Sequence, residues 1–171
     1  MSYQALETER GGIEIYETAL TCAQNEDLTD EWEEYLEQTR THEQVLLKVV
    51  KELGLNPETV SPGREVVAHI GDSLVTAMEM AKSRGSAAAA QLVSAECVVL
   101  AETKDHQNWE LIGHLAEHGQ GEETGALKTA FEAVEQEEDH HLYPTKGFTR
   151  ELWIEPLGLP AVLPPRGSEN G

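Results

Sequence analysis

The stretch Glu132–Pro144, "EAVEQEEDHHLYP", decides how the chain is read. It sets five carboxylates and two adjacent imidazoles just behind an apolar run of helical period. A solvated helix face accounts for the carboxylates but not for the histidines. Glu138 and His141 stand at i and i+3, on the same stripe as Leu127, Phe131 and Val134, so the pair faces inward with the apolar residues. His140, one position round, points about 100° away, toward a supporting shell or the surface. Glu137 with His140 repeats the spacing, but off the stripe.

Outward from this stretch, Gly, Pro and Asn punctuate long segments of helical period, and strand-like alternation is absent, which predicts an all-α chain. The first helix is expected over about residues 4–24, ending near "QNEDLTD", where Asp27 or Thr29 is placed to cap the second. That second helix carries "EWEEYLEQTRTHEQVLLKVVKEL" and stops at Gly54. Ser61 with Pro62 suits the start of a third helix, which has Val67, Ile70, Leu74 and Met78 on one side and closes at Gly85. A fourth runs from Ser86 to about His118, and a fifth to about Tyr143, before Pro144. The tail, "WIEPLGLPAVLPPRGSENG", holds too much proline for a helix and is expected to pack its apolar part on the bundle and fray at its end. The domain reading is therefore a helical bundle over 1–147 and an extended tail over 148–171.

Short links join helices one to two and four to five, implying two antiparallel hairpins separated by a connection of about thirty residues that contains the third helix. Each long helix carries a stripe of alternating 3- and 4-residue steps, apolar except at one polar window. On the first helix the stripe is Glu9, Ile13, Tyr16, Leu20, Ala23; on the second it is Tyr35, Thr39, His42, Leu46, Val49, Leu53. The fourth gives Leu92, Ala95, Val99, Glu102, His106, Trp109, and the fifth ends on Glu138 and His141. At about 1.5 Å per residue, Glu9, His42, Glu102 and Glu138 lie roughly 23 to 27 Å from their hairpin ends, so they share one layer. Unpaired carboxylates in a core each cost several kcal/mol, and a dinuclear metal centre supplies the compensating charge.

These features resemble the ferritin-like superfamily of four-helix bundles with one long crossover, whose di-metal members take a Glu from each of two helices and a Glu-x-x-His from the other two. The extra helix in the crossover and the phrase "LEQTRTHEQVLLKVVKELG" resemble the bacterial ferritin-like stress-response proteins in particular, over roughly residues 5–145. The resemblance implies Glu9, His42, Glu102, Glu138 and His141 as ligands of Fe or Mn. It also implies iron handling or reduction of O2 or peroxide, and a homodimer or higher homo-oligomer; the start of the chain, with no basic segment followed by an apolar run, is read as that of a cytoplasmic protein. Thr39 stands where the pattern has glutamate, three residues before His42. Either His106, Glu43 or Glu17 supplies the missing ligand, or the site is asymmetric or holds one metal instead of two.

Composition bounds the alternatives. In 171 residues, 32 acidic against 12 basic side chains give a formal charge of −20, which repels nucleic acid and anionic membranes. No stretch approaches the roughly 18 apolar residues of a membrane span. Cys22 and Cys97 sit singly in apolar helical segments and suggest neither a disulfide framework nor a thiolate metal site. Tyr16 and Trp109 suit core packing better than a redox role. The competing functional reading is a non-catalytic stress-response or interaction bundle whose polar layer only fixes helix register.

Overall fold

Asn25, Ser61 and Ser86 each turn a side-chain oxygen onto a backbone N–H at the start of a helix, and these caps divide the chain. The computed structural model describes residues 1–121 and 123–162, apart from the side chains of Glu123 and Asp139. Among them are five helices, α1 (Ser2–Leu20), α2 (Glu26–Glu52), α3 (Pro62–Arg84), α4 (Ala87–His118) and α5 (Glu123–Ile154), and no strands. The expected cap at Ser61 is present, and Ser86, where the fourth helix was expected to open, caps α4. For α2 the cap is Asn25, two residues ahead of the expected Asp27, with Oδ1 accepting from Leu28 N at 3.0 Å. Gly54, with φ at 69°, ends the same helix in the left-handed region that glycine adopts freely.

The packing closes a ring: α1 lies against α2, α2 against α5, α5 against α4, and α4 against α1, while α3 lies outside on α1 and α4. Two apolar clusters fill the ring. One joins Tyr16 and Ala19 of α1, Trp32 and Leu36 of α2, Val98 of α4, and Phe148 and Leu152 of α5. The other joins Leu6 of α1, Leu46 and Val50 of α2, Trp109 and Ile112 of α4, and Leu127 and Val134 of α5. The clusters therefore take opposite ends of successive helices, so ring neighbours run antiparallel and α2 runs in the same direction as α4. The segment holding α3 returns the chain along the outside of the ring. There Gly11 and Gly71 face one another, where a Cβ on Gly71 would lie 3.6 Å from the Gly11 backbone, so α1 and α3 approach closely. Of the residues expected on the packed side of α3, Leu74 and Met78 make the contact, joined by Val75, while Ile70 is exposed.

The last helix departs furthest from expectation. It does not stop before Pro144 but continues through it to Ile154. Pro144 costs the helix one N–H. Beyond it Thr145 and Thr149 are buried and Phe148 and Leu152 pack on the first apolar cluster, which offsets that loss. The proposed tail thus begins as helix; residues 163–171 lie outside the described part. No helix among the described residues is long and apolar enough to cross a membrane.

Candidate metal centre

Between the two apolar clusters lies a polar layer: Glu9 from α1, Thr39 and His42 from α2, Glu102 and Asp105 from α4, and Glu138 and His141 from α5. Each is no more than 6% exposed. Helical periodicity delivers them, since each lies on the inward stripe of its helix, one or two turns from a core residue such as Leu6, Leu46, Trp109 or Val134.

The two imidazoles are oriented from behind. His42 Nε2 lies 2.8 Å from Glu137 Oε2, and His141 Nε2 lies 2.7 Å from Gln38 Oε1. The Gln38 amide is itself set by its Nε2 donating to Glu34 Oε1 at 3.3 Å, which leaves its oxygen for the ring. Both partners are acceptors, so each Nε2 donates to its partner and each Nδ1 faces into the layer. There His42 Nδ1 stands 3.0 Å from Glu138 Oε1 and 3.9 Å from Glu9 Oε1. His141 Nδ1 stands 3.5 Å from Glu102 Oε2 and 3.8 Å from Glu138 Oε1. Among the described residues neither Nδ1 has a hydrogen-bond partner, and the same holds for Glu9 Oε2, Glu102 Oε2 and Asp105 Oδ1. Buried imidazole nitrogens and carboxylate oxygens that converge on one another require a cation or protons between them.

Among the described residues two groups of three meet the spacing for a metal ion, with donor atoms within 4.8 Å of one another: His42, Glu138 and His141, and Glu9, Asp105 and Glu138. Glu138 belongs to both. Burial, reinforced by the charges of Asp105 and Glu138, holds Glu9 well above the usual carboxylate range, while a hydrogen bond from Trp109 Nε1 at 2.8 Å pulls it back. Asp105 is likewise raised by burial and by Glu138 and Glu102, against the opposing pull of His42 and of its contact with Glu9. Tyr16 donates its hydroxyl to Glu102 Oε1 at 2.7 Å, and burial beside that carboxylate holds the phenol proton more tightly than usual.

Five of the six residues expected from the sequence, Glu9, His42, Glu102, Glu138 and His141, come together in this layer. The sixth, His106, does not: it belongs to neither group and reaches toward Glu110, with 3.5 Å from Nε2 to Oε1, its ring edge-on to Tyr143. Asp105, one residue earlier on α4, occupies the position instead. The other candidates for the missing ligand are engaged elsewhere, Glu43 with Arg10 at 3.0 Å and Glu17 with Arg40 at 2.8 Å. Thr39 donates its hydroxyl to the Tyr35 carbonyl at 2.8 Å. His140 is exposed. Sequence reasoning missed Asp105, although Glu102 and Asp105 repeat the i, i+3 spacing of Glu138 and His141; it also missed Gln38 and Glu137, which only tertiary packing brings to the rings. No protein-family model, curated protein or solved structure matches the chain.

Proposed function

We propose that the layer is a dinuclear metal centre of the ferritin-like kind, binding Fe or Mn and serving iron handling or the reduction of O2 or peroxide. The observation that carries this reading is the pair of imidazoles whose Nε2 atoms are held by Glu137 and Gln38 while their Nδ1 atoms face buried carboxylates. A metal-binding histidine is held in this way, with the far nitrogen donating to an acceptor that fixes its tautomer. The ring of four antiparallel neighbours with α3 in the long connection supports the bundle topology. Mixed imidazole and carboxylate donors suit Fe and Mn.

Within that centre Glu138, common to both groups of donors, would serve both positions, with His42 and His141 holding one ion and Glu9 and Asp105 the other. Glu102 stands beside His141, held by Tyr16. Bound Fe or Mn would supply the electrons for reducing O2 or peroxide. The chain's own contribution is to hold the donors in register, to keep the layer between two apolar clusters, and to orient Glu9 and Glu102 through Trp109 and Tyr16.

The contact between the carboxyls of Glu9 and Asp105 favours a second reading, in which protons replace metal and the layer only fixes helix register. Metal analysis of protein purified without chelator separates the two. Two ions per chain are expected. Glu138→Ala, which removes the shared donor, should lose both, and Asp105→Asn should lose one, while the helical circular dichroism survives. Full occupancy in Glu138→Ala, or a wild type that binds no Fe²⁺, Mn²⁺ or Co²⁺, would overturn the metal reading.

A further inference from the structure

Although Glu138 is only 1% exposed, it forms the floor of a depression of about 330 Å³ that opens between α4 and α5. Its walls include His106 and Glu110 from α4 and Glu135, Gln136 and Tyr143 from α5. The depression adjoins a larger one of about 690 Å³, with which it shares Glu110, Phe131 and Glu135, and which adds His114, Glu117 and Glu132. Lys128, the cation in the larger hollow, lies 3.7 Å from Glu132 and so has its charge offset. His106 stands on the inner stretch, its Nε2 3.5 Å from Glu110 Oε1. Imidazole and carboxylate donors, with Trp109 and Phe131 beside them, therefore line two adjoining hollows that lead from solvent toward Glu138, which belongs to both groups of the buried layer and whose carboxylate oxygens are themselves closed off from solvent.

We propose that the α4–α5 groove is the route by which a divalent cation enters the layer, with Glu110, Glu135 and His106 holding the ion in transit before Glu138 takes it. The proposal rests on the metal reading of the layer. A hydrated divalent ion gives up its water reluctantly, and donors spaced along a passage let it exchange water for protein oxygen and nitrogen step by step. A net charge of −20 draws cations to the whole surface, but a cleft lined by one sign of charge between low-dielectric walls concentrates that field and raises the rate of capture. Delivery to Glu138 serves either metal position. The route also gives His106 a role on the site's approach although it belongs to neither group.

Rapid mixing of metal-free protein with Co²⁺, followed by the visible absorption of the bound ion, tests the route. Glu110→Gln with Glu135→Gln should slow uptake roughly ten-fold and leave the final amount bound unchanged. Glu14→Gln with Glu79→Gln makes the same change in net charge at exposed positions of α1 and α3 and should keep the wild-type rate. His106→Phe, which keeps a ring against Tyr143 but removes the donor, should slow uptake by itself and carries the comparison if the double variant fails to fold. Groove variants as fast as the control would overturn the route, and so would a loss of bound Co²⁺ at equilibrium, which would make these residues ligands. A wild type that binds no Co²⁺ fails at the earlier step, the metal reading of the layer.

Discussion

Trp109 shows how one side chain couples the core to the layer. Its ring is 1% exposed and packs in the second apolar cluster, while Nε1 donates to Glu9 Oε1. That donor stabilises the charged form of Glu9 against the burial and the neighbouring acids that favour the neutral form. Trp109→Phe therefore raises the Glu9 pKa further, and since a metal needs the ionised carboxylate, half-maximal Mn²⁺ binding should move to higher pH. The lost hydrogen bond and the smaller ring should also cost about 1–3 kcal/mol of stability in urea. A binding midpoint at the wild-type pH would show that Glu9 takes no part in metal binding. At this scale the inward stripe was legible from periodicity because a 3.6-residue repeat carries polar and apolar residues to the same side alike. Asp105 was not. Steps from Glu102 to Trp109 through 105 or through 106 both keep the stripe, and only the packing of α4 decides between them. Thr39 shows the converse: its methyl packs against the bare Gly12 backbone, where a Cβ would lie 3.2 Å away, a close approach of α1 and α2 that no local pattern encodes.

Among the elements, α5 is where local rules and packing part. Proline inside a helix removes a hydrogen bond and crowds the carbonyl four residues earlier, here that of His140, so the sequence argued for an end at Tyr143. The helix continues because Thr145, Phe148, Thr149 and Leu152 recur at helical spacing and bury themselves against the first cluster. Start signals were more legible: Ser61 caps as expected, and the helix opens at Ser86 as expected, because a serine oxygen needs only a backbone N–H three residues on. The loop between α1 and α2 is also held from afar, by Gln91 Oε1, which accepts from Gln24 N at 2.6 Å and Asn25 N at 2.8 Å. Pro144→Ala restores a donor to the His140 carbonyl and should raise stability by about 1–3 kcal/mol, read as a higher urea midpoint. A lower midpoint would mean that the Pro144 conformation is itself needed to seat Phe148 and Leu152.

For the molecule as a whole, the layer sets how stability responds to pH, and metal reverses the sign. Glu9 and Asp105 have folded-state pKa values raised above their ordinary values of 4.5 and 3.8. A raised carboxyl contributes stability that is fully present below its unfolded-state pKa and is lost as pH rises through the folded-state value, because the folded chain must then ionise it in an apolar, negatively charged setting. Metal-free protein should accordingly be more stable near pH 5 than near pH 8. With saturating Mn²⁺ the bound ion requires the ionised forms, so metal-linked stabilisation should grow over the same interval, by about 2.7 kcal/mol where free metal reaches a hundred times its Kd. Thermal melts across this interval, with and without Mn²⁺, should give opposed slopes. Glu9→Gln combined with Asp105→Asn should flatten the metal-free slope, since neither amide ionises. Parallel slopes in wild type would mean that these acids do not meet the ion, and a metal-free slope unchanged in the double variant would trace it to the repulsion among the surface carboxylates that give the chain its charge of −20.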